Sequence, residues 1–411
     1  MLNVLYDSYT ILNKVYSEGA FLKQAMNTPI DEKNRSAVTK ICYGVLERDI
    51  LLSHWIACLC PKNPKLVVRT VLKISMYCIK FLNKTPYAVT DTAVELCNKL
   101  GKKGVSGFVN AVLRKFVGCE FVLPDGAAGL SLKYDYPVFA VKKLVDAYGV
   151  AIAEEIMASS EERTCVRFVC NGEKYLREND YNYTKTPYKN VFFVDKFDRN
   201  SDYDKGVYTF QSIGSVAICD AVPAGEALLD ACAAPGGKSV LLSDKFKRVT
   251  AQELHSHRAE LIRDYCARMN IKNVTVNVGD ASVFNADYLE GFDVVLCDVP
   301  CSGFGVLKEN PDIKLKKSDN TINELNELQL AILKNSAKYV KRGGFVCYST
   351  CSIFKEENDG IVKAFLDDDN SFTPEVISSK IPCTIMDFGV QYLPNISFGA
   401  GFYVSVLRRG K

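Results

Sequence analysis

Short apolar segments alternate with helical segments from about residue 205 to residue 366, and this alternation limits the possible folds more than any other feature of the 411-residue chain. The predicted strands are 227–231, 248–253, 274–278, 293–297 and 345–349, and the predicted helices are 257–269, 321–340 and 356–366. Strands that alternate with helices form a mostly parallel sheet covered on both faces. We therefore expect a Rossmann-like α/β domain, with an antiparallel edge strand at 401–408, where polarity alternates at every second residue.

The first 125 residues show the spacing of helices instead. Apolar residues recur at intervals of three and four in 41–46, 67–79 and 87–100, which predicts an all-α bundle. Small and turn-forming residues at 124–129 mark a boundary. A helical segment at 137–160 and strand-like pieces at 165–170 and 190–194 follow. The predicted domains are a helical domain 1–125, a small mixed module 126–204 and an α/β domain 205–411.

The cysteine content, the apolar runs and the charge of the chain exclude some classes of protein. Sixteen cysteines without regular spacing are typical of free thiols in a reducing compartment. The N-terminal residues lack the basic and apolar parts of a secretory signal, and no apolar run reaches the roughly 20 residues that span a bilayer. We expect a cytoplasmic protein with no membrane partner. The first 130 residues hold 17 Lys and Arg against 10 Asp and Glu, which suits a polyanionic partner or, equally, a solvated helical face.

A glycine-rich turn, LLDACAAPGGKS at 228–239, follows the first strand of the α/β domain. A P-loop would require glycine at the position of Cys232, and the dinucleotide pattern GxGxxG is also not matched. Glu253 ends the second strand, where a carboxylate can bind a ribose, and Asp280 follows the third, where it can reach an adenine amine. Three successive strand ends of this kind predict a nucleoside ligand.

Two thiols follow the fourth and fifth predicted strands. Cys301 lies three residues after Asp298, and Cys351 follows Thr350. The carboxyl ends of neighbouring parallel strands share one crevice, so both thiols are expected to face the same ligand. A thiolate adds readily to an electron-poor ring, and Asp298 is placed to hydrogen-bond that ring. Most other cysteines are expected to be small core residues.

A zinc site is the main competing interpretation. Cys297, Cys301, Cys347 and Cys351 form two Cys-x3-Cys pairs that superficially resemble a four-thiolate site. Residues four apart on a strand are about 13 Å apart, too far to share one ion. We therefore expect no metal.

These motifs resemble those of the RNA 5-methylcytosine methyltransferases, and in particular the RsmB branch that acts on 16S ribosomal RNA. The matching stretches are LLDACAAPGGKS, Glu253 with Arg258, VGDAS, DVPCSGFGVLKENPDIK and YSTCSIFKEEND. They cover most of residues 205–411. GFVNAVLRKF at 107–116 is similar to the NusB-like RNA-binding bundle fused to this branch.

The resemblance implies a class I methyltransferase that uses S-adenosyl-L-methionine, acts on 16S rRNA and is expected to be a monomer. The implied cofactor-binding residues are Ala233, Ala234, Pro235, Gly236, Gly237, Lys238, Glu253, Arg258, Asp280 and Asp298. Cys351 would attack carbon 6 of the cytosine, Asp298 would interact with ring nitrogen 3, and Cys301 would assist loss of the carbon 5 proton and release of the enzyme. Lys308 and Lys314 are candidates for contacts with RNA phosphates.

Three alternatives stay open. The same chemistry on tRNA or another rRNA site would use the same motifs. A non-catalytic RNA-binding assembly factor would be expected to have lost a thiol or the glycine turn. In DNA cytosine methyltransferases the nucleophile is the Pro-Cys cysteine, which would reverse the roles of Cys301 and Cys351.

Overall fold

The computed structural model describes residues 1–159, 163–399 and 401–411, which form two compact units. Unit 1 comprises Met1–Met157 and Asn310–Lys316, and unit 2 comprises Ala158–Glu309 and Lys317–Lys411. The predicted boundaries at 125/126 and 204/205 do not coincide with the limits of these units, so the three-domain division stays a prediction. No helix in the described ranges has both the length and the apolar character needed to cross a membrane.

The first 158 residues are helical, which confirms the predicted all-α region. The helices are α1 (Leu2–Ser17), α2 (Leu22–Ala25), α3 (Glu32–Glu47), α4 (Asp49–Leu59), α5 (Leu66–Lys80), α6 (Pro86–Lys99), α7 (Ser106–Val117), α8 (Gly126–Tyr134), α9 (Val138–Tyr148) and α10 (Val150–Ala158). A hydrophobic core extends from Leu5 on α1 to Phe116 on α7. Short 3-10 helices in unit 1 are Lys103–Val105 and Ile313–Leu315.

The predicted helix at 137–160 is two helices. Gly149, with φ of +77°, separates α9 from α10. Glycine adopts this left-handed region readily, and an α-helix cannot continue through it. The predicted end of the segment, Ser160, lies outside the described residues.

Unit 2 contains a small antiparallel sheet with the strand order β2-β3-β1-β4 among the described residues. Its strands are β1 (Cys165–Phe168), β2 (Tyr183–Lys185), β3 (Val191–Val194) and β4 (Tyr208–Phe210), with helices α11 (Gly172–Glu178) and α12 (Ser201–Asp204). Phe168, Phe192, Phe197 and Tyr208 pack together in its core.

The large sheet of unit 2 has the order β11-β12-β13-β9-β8-β5-β6-β7, with β10 also paired to β13. Its strands are β5 (Gly225–Asp230), β6 (Phe246–Glu253), β7 (Val274–Val278), β8 (Phe292–Asp298), β9 (Val340–Thr350), β10 (Phe372–Pro374), β11 (Thr384–Ile385), β12 (Val390–Tyr392) and β13 (Phe402–Arg409). The helices of this region are α13 (Ile213–Ala221), α14 (Gly237–Leu242), α15 (Ser256–Arg268), α16 (Asp319–Ala337) and α17 (Asp359–Asp368), with 3-10 helices at Ala286–Tyr288, Phe304–Val306 and Lys355–Glu357.

The pairs between β5, β6, β7, β8 and β9 are all parallel, which confirms the predicted mostly parallel α/β sheet. Successive residues of a strand point to opposite faces of the sheet. Leu228 and Leu229 belong to two different buried clusters, so both faces are covered. β13 is antiparallel to β9, as predicted. The expectation that it lies at the edge was wrong, because β12 and β10 pair with it as well.

Candidate functional site

Two cysteine-bearing turns meet at the carboxyl ends of β8 and β9. Because Asp298 is paired in register with Ser349, the two strands end at the same level. Cys301 and Cys351 then approach until their Sγ atoms are 3.0 Å apart. The Cys351 amide also donates to the Cys301 Sγ at 3.3 Å. The structure therefore brings together the two thiols that the sequence placed in one crevice.

The thiol of Cys301 is strongly biased toward its protonated form. The hydrogen bond to Cys351, followed by burial and by the charges of Cys351 and Glu357, raises its pKa well above the ordinary value. Burial raises the pKa of Cys219 and of Cys297 to about 12. Each of these shifts favours the neutral thiol, which is a weaker nucleophile than the thiolate.

The strand cysteines do not complete a zinc site with these thiols. Cys297 and Cys347 are both fully buried, but they pack in the two clusters on opposite faces of the sheet. No group of His, Cys, Asp or Glu suited to hold a metal occurs in the part of the chain that the structure describes.

Asp298, the last residue of β8, lies between a lysine and a serine. Lys238 Nζ donates to Asp298 Oδ2 at 2.7 Å, and Ser349 Oγ donates to Asp298 Oδ1 at 2.8 Å. Burial lowers the pKa of Lys238, but the charge and hydrogen bond of Asp298, with smaller contributions from Cys219 and Asp230, together outweigh burial, and the net shift is upward. The lysine therefore stays positively charged next to the carboxylate.

The glycine-rich turn connects β5 to α14. Gly236, with φ of +102°, precedes the helix, and an added Cβ would lie 3.1 Å from Ile262. At Gly237 an added Cβ would lie 3.3 Å from the Gln211 amide. The Ala233 amide donates to the Gln252 carbonyl at 2.8 Å, which attaches the turn to β6. The two glycines therefore let the turn pack closely against Ile262 and Gln211.

Arg258 joins this turn to the end of β6. Its guanidinium donates to Glu253 Oε1 and to the Ala234 carbonyl, each at 3.3 Å. Glu253 is 4% exposed, so its carboxylate is fixed by these contacts. Asp280, after β7, accepts from the amide and hydroxyl of Ser282 at 2.8 and 2.6 Å. The Gly279 amide donates to the Glu253 carbonyl at 3.0 Å, which places the two acidic strand ends side by side.

The predicted site residues form two groups along one edge of the sheet. One group, at β6 and β7, contains Glu253, Arg258 and Asp280, and the other, at β8 and β9, contains Asp298 and the two thiols. The turn 233–238 after β5 lies between them. β7 and β9 are four strand spacings apart, about 19 Å. The edge is thus wide enough for a nucleoside at one end and a second reactant at the other.

A buried polar network beneath the two cysteine turns was not predicted. Glu357 accepts from Ser302, Ser352 and Gln329, and Asn358 accepts from Thr350 Oγ1 at 2.6 Å. In the sequence KEEND, acidic residues at a helix start have the appearance of a solvated face. The only signal in the sequence is that this polar run is separated from Thr-Cys-Ser by just Ile353 and Phe354.

Lys314 does not have the predicted role. Its side chain is 3% exposed, and its Nζ donates to the carbonyls of Glu47 and Asp135 at 2.8 and 3.0 Å within unit 1. Asp135 Oδ1 is 3.8 Å from the same nitrogen. A lysine committed to these buried acceptors cannot reach an RNA phosphate, so this expectation was wrong.

Two family descriptions match the chain. Residues 218–408 match the 16S rRNA methyltransferase RsmB/F family, and residues 2–118 match the NusB family. The first match contains the glycine turn and both thiols, and the second contains helices α1 to α7.

Several proteins are similar over nearly the whole chain. A Bacillus subtilis protein named "Probable ribosomal RNA small subunit methyltransferase B" is 30% identical over 97% of this chain and 95% of its own length. The Sodalis glossinidius ribosomal RNA small subunit methyltransferase B is 28% identical over 96% of this chain and 94% of its own. The crystal structure of PH0851 has the same fold, with a TM-score of 0.85 at 21% identity over 99% of this chain and 98% of that one. On these matches, the chain belongs to the RsmB/F family of 16S rRNA methyltransferases and carries a NusB-family region at its front.

Proposed function

We propose that this protein transfers a methyl group from S-adenosyl-L-methionine to carbon 5 of a cytosine in 16S rRNA, through a covalent bond between Cys351 and the base. The observation that carries the proposal is the pair of thiols, 3.0 Å apart at the ends of adjacent parallel strands and beside the Lys238–Asp298 ion pair. One thiol can form the bond and the other can assist its release. The small-subunit rRNA target is supported by the names of the relatives.

S-adenosyl-L-methionine is the cofactor of this methyltransferase family. The residues at the strand ends fit it. The turn 233–238 carries two glycines and no bulky side chain except Lys238, so its backbone can approach a ligand closely. Carboxylates such as Glu253 and Asp280 accept hydrogen bonds from ribose hydroxyls and an adenine amine. When bound, the cofactor supplies the methyl group. We assign its binding to residues 233–238 together with Glu253, Arg258, Asp280 and Asp298.

In the first step the Cys351 thiolate forms a bond to carbon 6 of the cytosine. The electron pair of the double bond between carbons 5 and 6 is displaced toward carbon 5 and the ring nitrogens, so carbon 5 becomes nucleophilic. A proton shared between the Asp298 carboxyl group and ring nitrogen 3 neutralises the charge displaced onto that nitrogen. Lys238 keeps its positive charge next to Asp298 and so stabilises the negative charge that develops on the ring.

In the last step the carbon 5 proton leaves, the double bond forms again, and its formation expels the Cys351 thiolate. Cys301 is the group next to this bond and is held as a neutral thiol. A neutral thiol cannot accept the carbon 5 proton, so Cys301 first loses its own proton to solvent. Its thiolate then takes the carbon 5 proton while the Cys351 thiolate leaves. The target base must first leave any stack, which costs a few kcal/mol and favours loop positions.

The test is analysis of the nucleosides from 16S rRNA incubated with the protein and the cofactor. We expect 5-methylcytidine with the wild type and none with Cys351→Ala, while cofactor binding to Cys351→Ala is unchanged. A methylated nucleoside other than 5-methylcytidine, or full activity of Cys351→Ala, would refute the chemistry. Methylation of tRNA but not of rRNA would correct the substrate, and no methylation of either would favour an assembly factor.

A further inference from the structure

A buried carboxylate lies directly beneath the two cysteine turns. Glu357 is 0% exposed. Its Oε1 accepts from the Ser302 amide at 2.7 Å and from Gln329 Nε2 at 3.0 Å, and its Oε2 accepts from the Ser352 hydroxyl. These three donors are neutral. Burying a carboxylate against neutral donors costs free energy. The folded protein therefore needs all three hydrogen bonds to hold Glu357 in this position.

The donors come from the residues that follow the two thiols. Ser302 follows Cys301 in one turn, and Ser352 follows Cys351 in the other. The two serine hydroxyls are themselves 3.2 Å apart. One carboxylate therefore binds both turns at the position next to the reacting sulfur, and any shift of this carboxylate would be passed to both thiols.

The carboxylate is itself fixed from α16 and β9. Gln329, on α16, also donates to the carbonyl of Pro300 at 2.9 Å. Tyr348, on β9, donates to Gln329 Oε1 at 3.3 Å and to the Glu357 carbonyl at 2.6 Å. Both residues are buried. The two residues that fix Glu357 on this side therefore lie on a helix and on a strand of the large sheet domain.

We propose that Glu357 is a positioning residue for the methyl transfer, which joins the Cys301 turn to the Cys351 turn and fixes the separation of the two sulfurs. The inference rests on the proposed function for its effect on catalysis, but its geometric part does not. The negative charge of Glu357 also contributes to the raised pKa of the Cys301 thiol. This favours Cys351 over Cys301 as the attacking sulfur.

The separation of the sulfurs is measured by the equilibrium between the Cys301–Cys351 pair and oxidised glutathione. In this reaction the two thiols lose two protons and two electrons, and glutathione disulfide is reduced to two glutathione molecules. At about pH 6.5, well below ordinary thiol pKa values, the equilibrium constant reports proximity rather than ionisation. The disulfide is quantified in peptides by mass spectrometry, with Cys301→Ala as the blank.

We expect Glu357→Gln to lower this equilibrium constant at least tenfold, since the amide cannot accept from all three donors. Ser352→Ala keeps the charge, removes one donor and is expected to lower the constant by a smaller factor of about three. The matched control is Glu327→Gln, the same change at an exposed position of α16, and it is expected to match the wild type. With 16S rRNA, Glu357→Gln should lower kcat at least tenfold and leave the KM for S-adenosyl-L-methionine within twofold.

An unchanged equilibrium constant in folded Glu357→Gln would overturn the proposal, as would a wild type that forms no disulfide. If Glu357→Gln does not fold, Ser352→Ala decides by the same criterion. A lowered constant together with an unchanged kcat would show a purely structural role and would also overturn it. If the constant falls but no protein, including the wild type, methylates rRNA, the positioning of the sulfurs stands and the proposed function fails.

Discussion

The surroundings of two side chains in this site, Asp230 and Lys238, shift their pKa values and so favour different charge states. Asp230, the last residue of β5, is buried, and burial raises its pKa to about 7, with the charge of Asp298 adding to the rise and the Ser239 hydroxyl opposing it. Lys238, whose side chain is 13% exposed, stays charged because Asp298 is its partner. Perturbed ionisable groups of this kind cluster at functional sites.

Asp230→Asn should change how stability depends on pH. The folded-state pKa of Asp230 lies above its unfolded value of 3.8. Its contribution to stability is therefore complete below about pH 4 and is lost as the pH rises through 7, by up to about 4 kcal/mol. We expect the free energy of unfolding of Asp230→Asn relative to the wild type to rise between pH 5 and 8, in urea titrations without cofactor.

The exposed Asp244 provides the control for this prediction, since Asp244→Asn changes the same chemical group on the surface. Its difference from the wild type should stay constant over the same pH range. Parallel pH profiles for Asp230→Asn and the wild type would show that Asp230 does not take up a proton on folding.

At the scale of elements, the cysteine turns are packed against the last strand of the sheet. The Gly305 amide donates to the Cys351 carbonyl, and the Gly401 amide donates to the Gly305 carbonyl, both at 3.0 Å. A Cβ added to Gly305 would lie 1.9 Å from the Gly401 carbonyl oxygen and 2.8 Å from that of Cys351. The approach of three backbone segments requires glycine here.

Gly305→Ala should therefore cost about 1–3 kcal/mol of stability and lower the Tm by several degrees. Because the displaced backbone is bonded to Cys351, we expect kcat to fall at least tenfold as well. Thermal unfolding and single-turnover methylation measure the two effects. Gly104→Ala, where an added Cβ meets nothing within 4 Å, should leave both unchanged. A fully active Gly305→Ala protein would mean that this contact does not hold the site.

The sequence predicted elements and strand ends better than it predicted the buried polar contacts. Alternation and strand composition place β5 to β9 in one parallel sheet, and the meeting of Cys301 with Cys351 follows from that topology alone. The role of Glu357 could not be predicted in this way, because the sequence does not show whether a glutamate is buried or exposed to solvent. Lys314 was misplaced for the same reason, since only tertiary structure supplies the carbonyls that bury it.

In the complete chain, the two compact units do not correspond to two continuous stretches of sequence. The segment Asn310–Lys316 belongs to unit 1, although the residues on both sides of it belong to unit 2. A linear division by composition cannot detect such a segment. The family relationship covers both units, whereas the proposed chemistry depends on residues of unit 2 alone.

The covalent bond between Cys351 and the cytosine can be sought directly. Cys301→Ala is incubated with 16S rRNA and S-adenosyl-L-methionine and analysed on a denaturing gel. We predict a protein–RNA adduct that survives denaturation, because attack by Cys351 proceeds while release is impaired, and that disappears in Cys301→Ala/Cys351→Ala. An adduct that forms with Cys351→Ala and requires Cys301 would contradict the account by reversing the roles of the two thiols.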